Sequence, residues 1–339
     1  ARERRTPASR SRPSGMAAEL YAQKAPASVE EACERMGCFI AVHTDRPIVL
    51  VTSGGTTVPL ERNTVRFIDN FSTGNRGAAS VERFLEGGYA VIFLHRSGSA
   101  FPFLRQLLPP AVSAETLLGS LASPDGQLTK QLRAAGDTYT QSASRLLSLP
   151  FTSVIEYLFL LRAAALALAP AGRRAMMYLA AAVSDFYIPD EEMSTHKIQS
   201  EGGTHGLELS LRSVPKVLNE IRGKAGDGWA PEAMLVTFKL ETNENILVAK
   251  AAIALRNYGV DVVCANRLQD YKKKVMLVSR SSPGMELVVG AITSDATEIV
   301  ECTGCDVRTI EQANSGAHSE IEEQLIAALA QLHERHMVV

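Results

Sequence analysis

The sequence predicts an α/β fold in which a Rossmann-like parallel sheet is sandwiched between helices on both faces. Short runs of apolar and β-branched residues alternate with segments of helical spacing along most of the chain. The first of these runs ends in glycines, a pattern typical of a buried parallel strand that leads into a loop. Strands that alternate with helices of this length form βαβ units, which build a parallel sheet with a helical layer on each face.

The predicted elements follow one another in a regular order. The first strand begins after Pro47 and ends near Gly54, and a helix over residues 29–36 precedes it. Further strands are predicted over residues 89–94, 175–183, 234–240 and 260–265. Helices are predicted over residues 74–87, 155–168, 216–224, 245–258 and 319–336. Ligands of such sheets bind beyond the carboxyl ends of the strands, so polar residues at those ends are the first candidates for a site.

Two stretches and one terminus interrupt this order. Residues 97–149, rich in Leu, Ser, Pro and Gly, are predicted to be an insertion with one or two helices and no clear strand. Residues 271–293 contain β-rich runs at 274–279 and 286–290, which predict a β-hairpin that we expect to contribute to dimerisation. Residues 1–15 hold five Arg, three Ser and two Pro, and are predicted to be a disordered tail, with a transit peptide as the alternative. Residues 16–339 are predicted to form a single domain.

The composition excludes several classes of protein. The net charge of −2 provides no basic surface for nucleic acid, and no membrane span is expected because the apolar stretch 158–171 is short and contains Arg162. That stretch is predicted to be a buried helix. Five cysteines indicate a reducing compartment, and we expect a cytoplasmic location. Cys302 and Cys305 form a CxxC without a second pair, which favours free thiols over a metal or redox site.

Two glycine-containing loops predict an anion site. The first is Thr-Ser-Gly-Gly-Thr at residues 52–56, and the second, residues 71–80, opens a helix. Glycines let backbone N–H groups approach a phosphate, and a helix N-terminus adds partial positive charge. Ser72 and Thr73 can cap this helix and can also donate to phosphate oxygens. Either loop alone is as consistent with a purely structural role, as a turn and an N-cap, as it is with phosphate binding. Two such loops so close together favour phosphate binding. Neither is a Walker A loop or a GxGxxG fingerprint.

Other polar residues fall between or after the strands. Asn70, beside Asp69 and between aromatic residues, could hold a carboxylate or an acyl-phosphate, or form only an Asx turn. Asp185 follows a strand of small residues and could accept a hydrogen bond from a ligand, or simply cap the strand. Lys197 lies in a polar loop over residues 192–203 that is predicted to be a flap, and the alternative is a solvated lysine. Phe238 and Asn266 end neighbouring strands and could contact a base, unless Phe238 belongs to the core.

These motifs, taken in order, resemble those of a known family. The segments TSGGT, RFIDNFSTGNRG, LAAAVSDFY, HKIQS, TFKLET and CAN are similar to the motifs of phosphopantothenoylcysteine synthetases, in particular the free-standing eukaryotic form. The resemblance runs from about residue 48 to residue 266. It implies a homodimer that joins 4'-phosphopantothenate to L-cysteine in coenzyme A biosynthesis. It further implies an acyl-nucleotidylate intermediate made from ATP (the bacterial type prefers CTP), with Mg²⁺ shielding the triphosphate.

The resemblance also implies roles for individual residues. Asn70 matches the asparagine that holds the acyl-nucleotidylate, Lys197 matches the flap lysine, and Arg66 matches an arginine that reaches the partner subunit's site. The expected nucleotide-binding residues are Gly54, Ser72, Gly74, Gly77, Phe238 and Asn266. The expected phosphopantothenate-binding residues are Ala181, Ala182 and Asp185. The residues that would bind the metal stay unassigned, and Thr73 departs from the serine usual at its position.

Two alternatives stay open at this point. A Rossmann oxidoreductase would use NADP, because the second strand ends in His95 and Arg96 without an acidic residue to bind a ribose. A non-catalytic regulatory relative would bind the substrates without turning them over. The presence of Asn70, Asp185 and Lys197 favours the enzyme over this second alternative.

Overall fold

The computed structural model describes residues 16–108, 113–123, 126–199, 207–223, 227–282, 284–293, 296–312 and 320–338. The predicted tail over residues 1–15 and part of the predicted flap lie outside the described residues. The α-helices are α1 (Met16–Ala22), α2 (Ser28–Val42), α3 (Asn75–Glu86), α4 (Ala114–Leu121), α5 (Gln127–Ser142), α6 (Val154–Leu168), α7 (Leu218–Arg222), α8 (Leu247–Tyr258) and α9 (Ile321–Val338).

The strands of the described residues form one large sheet and three short pairs. They are β1 (Ile48–Ser53), β2 (Thr57–Pro59), β3 (Phe67–Asp69), β4 (Ala90–Arg96), β5 (Leu146–Phe151), β6 (Ala175–Leu179), β7 (Phe186–Tyr187), β8 (Arg212–Ser213), β9 (Met234–Glu241), β10 (Val262–Arg267), β11 (Lys274–Arg280), β12 (Val288–Val289), β13 (Cys302–Thr303) and β14 (Cys305–Glu311). The eight-stranded sheet has the order β14-β11-β10-β9-β6-β1-β4-β5, and the short pairs are β2–β3, β7–β8 and β12–β13.

The fold class predicted from the sequence is confirmed. The six strands from β5 to β10 in the sheet order run parallel, while β11 and β14 extend the sheet in antiparallel pairing. Every residue of β1 and β6 is buried, as expected when helices cover both faces. Residues of β1 alternate between two cores: Ile48 and Leu50 pack with α2, α6 and α8, whereas Val49 and Val51 pack with α3 and α9.

Helix α6 is part of the first core, as predicted. By length and composition the described segment Val154–Arg174 could cross a membrane, but 56% of its most apolar window is buried inside the protein. The guanidinium of Arg162 lies 4.7 Å from the ring centroid of Tyr21, so the charge within the apolar helix is packed against an aromatic ring of α1. These are the contacts of a core helix in a folded domain.

Two expectations about irregular regions are wrong. Residues 97–149 contain the two expected helices α4 and α5, but a strand, β5, also begins at Leu146 and pairs with β4. Its Pro150 obscured the strand in the sequence, and an edge strand tolerates a proline because one of its sides has no strand to pair with.

The predicted hairpin over residues 271–293 does not form between its two runs. Strand β11 pairs with β10 on one side and β14 on the other, so both of its edges are occupied. The second run is reduced to β12, which pairs with β13. The hairpin interpretation paired the two runs with each other. Each run instead pairs with a strand from residues 302–311, which were not predicted to be strands.

A buried histidine ties α9 to the rest of the fold. His333 is fully buried; the Tyr89 hydroxyl donates to its Nδ1 at 3.0 Å, and its Nε2–H donates to the carbonyl of Arg173 at 3.0 Å. Burial lowers the pKa of His333 to about 4. The side chain therefore stays neutral in the folded protein at pH values where an exposed histidine is already protonated.

We predict that His333 makes the protein less stable as the pH falls. The pKa of His333 is near 6.5 in the unfolded chain and about 4 in the folded protein, so the unfolded state takes up the proton first as the pH falls. The free energy of unfolding therefore decreases by about 2 kcal/mol between pH 8 and pH 5. Denaturant unfolding across this range should show a shallower pH dependence for His333→Gln than for wild type. The exposed His196→Gln should follow wild type, and parallel profiles for wild type and His333→Gln would contradict the prediction.

Candidate functional site

A cavity of about 800 Å³ lies at the carboxyl ends of β1, β6, β9 and β10. Strands β4 and β6 pair on opposite sides of β1, so the strand order changes direction at β1. Open parallel sheets bind ligands in the crevice at such a point. The predicted site residues in the cavity wall are Gly54, Ser72, Gly74, Gly77, Ala181, Ala182, Phe238 and Asn266.

One wall of the cavity is built from glycines at the start of α3. Gly54 and Gly74 have positive φ values of 84° and 78°, which glycine adopts without strain. Gly74 is the N-cap of α3, and in the described chain no side chain caps the helix. The expected caps are wrong: the Ser72 and Thr73 hydroxyls accept only long hydrogen bonds, of 3.4 and 3.5 Å, from the N–H groups two residues on. The first turn of α3 therefore keeps donors available for an anion.

Close packing at the carboxyl end of β1 requires two further glycines. A Cβ at Gly77 would overlap the side chain of Ser53, and one at Gly55 would overlap the carbonyl of Asn70. The Ser53 hydroxyl also donates to the carbonyl of Gly74 at 3.0 Å. These contacts fix the glycine loop and the start of α3 directly against the end of β1.

The opposite wall follows β6 and consists of small residues. The N–H of Ala182 donates to the carbonyl of Gly54 at 2.8 Å, and the N–H of Thr56 donates to the carbonyl of Ala182 at 3.1 Å. The N–H of Ala181 donates to the hydroxyl of Thr52 at 3.1 Å. The segment after β6 is thereby joined to the loop after β1, and its methyl side chains leave space for a ligand to lie against the backbone.

Phe238 and Asn266 form the far end of the cavity. The Phe238 ring packs edge-to-face on Tyr178, with centroids 5.0 Å apart, so it belongs to both the core and the cavity wall. Asn266 is 6% exposed, and its Oδ1 has no hydrogen-bond partner among the described residues. A buried acceptor without a partner is costly, and a ligand in the cavity could satisfy it.

The sequence motifs did not single out Arg76, which lies at the same end. Its guanidinium is 5.7 Å from the ring centroid of Phe238 and 5.8 Å from that of Tyr271, and it forms a 3.4 Å ion pair with Glu322. Burial raises the pKa of Glu322, and the neighbouring Arg76 opposes that effect. Arg76 could have been noticed because it lies inside the second glycine loop. Glu322, far along the chain at the start of α9, carries no motif.

Asn70 and Asp185 lie outside the cavity wall. The N–H of Asn70 donates to the carbonyl of Thr56 at 3.1 Å, and the next residue, Phe71, lines the cavity. The Asp185 carboxylate pairs with Lys216 at 2.9 Å, and both side chains are largely exposed, so this pair contributes little stability. Both residues are close in sequence to the wall, and their predicted contacts with substrate stay predictions.

Arg66 and the flap segment meet at a buried carboxylate. Glu61 is fully buried and accepts from Nε of Arg66 at 3.0 Å and from the N–H of Ile198 at 3.3 Å. Burial alone would raise the pKa of Glu61, but hydrogen bonds from the Arg66 side chain and from three backbone N–H groups bring it below its ordinary value. Lys197, exposed beside Ile198, is thus attached through its backbone to the β2–β3 hairpin. No sequence pattern pointed to Glu61.

The acidic side chains in the cavity wall are already engaged in ion pairs. The described residues contain no group of three His, Cys, Asp or Glu side chains placed to hold a metal ion. The cavity carboxylates Glu320 and Glu322 are already paired with Arg105 and Arg76. Cys302 and Cys305 are free thiols with sulfurs 3.5 Å apart, away from the cavity wall.

Comparisons with known proteins give a consistent result. The family model described as the DNA/pantothenate metabolism flavoprotein C-terminal domain matches residues 161–300. Mouse phosphopantothenate–cysteine ligase is 45% identical over 269 residues, covering 76% of this chain and 84% of the relative. Rice phosphopantothenate–cysteine ligase 2 is 42% identical over 297 residues, covering 86% of this chain and 81% of the relative.

A solved structure extends the similarity to the whole fold. A histidine-to-alanine mutant of Cab2 in complex with phosphopantothenate-cysteine superimposes with a TM-score of 0.76 at 34% identity. The match covers 94% of this chain and 97% of that one.

We predict that Glu61→Gln loosens the flap segment. An amide would place an N–H₂ group against donors and remove the charge that holds Arg66, so the Ile198 amide should exchange its hydrogen faster. Hydrogen exchange at pH 7 measures this, with the exposed Glu34→Gln as control.

The pH dependence follows from the lowered pKa of Glu61. The stability that this carboxylate contributes is present above its unfolded pKa, near 4.3, and is lost as the pH falls through the lower folded value. The difference in Tm between wild type and Glu61→Gln should therefore be largest near neutral pH and shrink below about pH 4. Equal Tm values at pH 7 would contradict this role.

Proposed function

The chain belongs to the phosphopantothenate–cysteine ligase family, and we propose that it joins 4'-phosphopantothenate to L-cysteine through an acyl-nucleotidylate made from ATP. It is a ligase of coenzyme A biosynthesis. The observation that carries the proposed chemistry is that one cavity combines the glycine wall at α3, the small-residue wall after β6 and the buried amide of Asn266.

The first step would bring together two negatively charged groups. A carboxylate oxygen of phosphopantothenate attacks the α-phosphorus of the nucleotide, the bond to the β-phosphate breaks, and pyrophosphate leaves. The N–H groups around Gly54, Gly74 and Gly77 would hold the phosphates and offset the repulsion between the reactants. Fixed donors of this kind act mainly by electrostatic stabilisation and positioning.

In the second step the amine of cysteine attacks the activated carbonyl carbon. The new C–N bond forms as the bond to the nucleoside monophosphate breaks, and the amine loses a proton. Ala181, Ala182 and Asp185 would bind the phosphopantothenate part, because the alanines leave room along the backbone and Asp185 can accept from a hydroxyl or amide. The pair between Asp185 and Lys216 is exposed and easily exchanged for a ligand contact.

Mg²⁺ fits this site as a companion of the triphosphate. The cavity carboxylates are already paired with arginines, and Mg²⁺ usually keeps several waters and binds substrate phosphates. The ion would reduce the negative charge that the carboxylate must approach. Lys272 and Lys273 also line the cavity and would add positive charge on its rim.

Asn70 and Lys197 would act from a shared support. Asn70 directly follows β3, and the backbone beside Lys197 is hydrogen-bonded to Glu61 in the loop that connects β2 and β3. A movement of the flap is thus coupled to the segment that carries Asn70. We propose that Asn70 holds the acyl-nucleotidylate and that Lys197 places its charge over the site when substrates are bound.

We also propose that the protein works as a homodimer in which Arg66 contributes to the partner's site. The hairpin region exposes apolar side chains, among them Phe67 at 51% and Phe71 at 88% exposure, and such clusters mark interaction surfaces. Arg66 lies in the same region, and 39% of its side chain is exposed although Glu61 holds it. It could therefore reach across an interface while keeping its own support.

We predict pyrophosphate release that depends on phosphopantothenate. Purified protein given phosphopantothenate, cysteine and Mg²⁺ should release pyrophosphate with ATP, and a parallel assay with CTP ranks the two nucleotides. Binding of both substrates without release would indicate a non-catalytic relative. A thermal shift with NADP and none with ATP would support an oxidoreductase instead.

We predict that Asn70→Ala slows product formation by roughly two orders of magnitude, because losing one such donor typically costs about 3 kcal/mol in the transition state. The fold should stay intact, since the hydrogen bond from Asn70 to Thr56 uses only the backbone. Asn63→Ala, exposed on the same hairpin, is the matched control for a single-turnover assay. Normal turnover by a folded Asn70→Ala protein would remove this role.

A further inference from the structure

Arg76 fills the space between two aromatic rings at the far end of the cavity. It lies in the first turn of α3, and its guanidinium carbon is 5.7 Å from the ring centroid of Phe238 and 5.8 Å from that of Tyr271. Phe238 also packs against Tyr178. One face of Phe238 is therefore covered by a cation, so this ring alone is not a free platform for a nucleobase.

The guanidinium is held on two sides and keeps one nitrogen without a hydrogen bond. Nη2 donates to the carbonyl of Tyr271. Nη1 lies 3.4 Å from a carboxylate oxygen of Glu322, yet it is buried and makes no hydrogen bond among the described residues. The Arg76 and Glu322 side chains are only 14% and 12% exposed, so the charges stabilise each other away from water.

A second unsatisfied group lies at the same end of the cavity. In the register of β9 and β10, Phe238 pairs with Cys264, and Asn266 follows two residues later on the same face of the sheet. The Oδ1 of Asn266 is buried without a partner, and Asn266 lines the cavity together with Arg76. The wall thus offers a donor, Nη1 of Arg76, and an acceptor, Oδ1 of Asn266, and neither has a hydrogen-bond partner among the described residues.

We propose that Arg76 is a nucleobase-binding residue, held in position by Glu322 and completing a recognition site with Asn266. This inference rests on the proposed use of a nucleotide. A heterocycle with a ring nitrogen beside an exocyclic amine, as in adenine or cytosine, has an acceptor for the Arg76 N–H and a donor for the Asn266 oxygen.

Glu322 gives the start of α9 a part in nucleotide binding. A carboxylate alone in this wall would repel a nucleoside triphosphate, but the ion pair with Arg76 removes most of that repulsion. The same pair fixes the guanidinium, so the Arg76 side chain loses little conformational entropy when the base binds. Glu322 is thus a positioning residue that acts through Arg76.

The test separates base contacts from phosphate contacts. ATP binding is measured by calorimetry without the other substrates, and KM values are measured for all three substrates. Inorganic tripolyphosphate serves as a competitive inhibitor that has the phosphates but no base. The variants are Arg76→Lys, which keeps the charge, and the double variant Arg76→Met with Glu322→Gln, which leaves no unpaired carboxylate. Arg256→Met, on the exposed side of α8, is the matched control.

Both Arg76 variants should raise the Kd and the KM for ATP about tenfold or more, the loss expected for a charge-assisted hydrogen bond. The KM values for phosphopantothenate and cysteine and the inhibition constant of tripolyphosphate should stay within about twofold of wild type. Glu322→Gln alone should weaken ATP binding less than either variant.

Wild-type affinity for ATP in the folded Arg76→Lys protein would overturn the proposal, and so would an equal loss of tripolyphosphate inhibition. Failure of the wild type to release pyrophosphate would count against the proposed function, whereas the calorimetric comparison still tests Arg76.

Discussion

The close approach of the chain to itself at the end of β1 is the constraint on which the site depends. Gly77 lets α3 contact Ser53, and Gly55 leaves space for the carbonyl of Asn70. The segment after β6 is hydrogen-bonded to the same loop through Ala182 and Gly54. Three separate parts of the chain are thereby fixed within contact distance, and the cavity is the space that their small side chains leave open. Larger side chains would fill this space and push apart the N–H groups that are proposed to bind phosphate.

The balance of charge in the cavity explains how a negatively charged protein could bind negatively charged substrates. The net charge of the chain is −2, and the cavity wall contains Glu320 and Glu322. Each of these carboxylates is paired with an arginine, whereas Lys272 and Lys273 lie on the rim. Local pairing rather than overall charge therefore sets the field at the site. The buried pairs also hold the start of α9 and the insertion, through Arg105, against the cavity.

Sequence patterns predicted the alternating elements well because burial on both faces leaves long apolar runs in β1 and β6. They also brought together most of the wall, since glycines and strand ends are local signals. They missed β5, because Pro150 and Ser148 dilute an edge strand, and they assigned β11 a wrong partner, because pairing depends on distant residues such as Val307 and Ile310. Glu61, Arg76 and Glu322 were not singled out for the same reason: a buried charge is recognised by its partners, and each of these three residues has a partner far away in the sequence.

The hydrogen bond between Arg76 and Tyr271 has a consequence for how the protein is made. Its two ends are 195 residues apart in the chain. A ribosome that adds roughly 5–20 residues each second needs roughly 10–40 s to travel between them. During that time the glycine wall emerges and can fold, while the far end of the cavity does not yet exist. The nascent chain thus passes through a long stage with an open, incomplete crevice, and the proposed nucleotide site is complete only after Tyr271 has emerged.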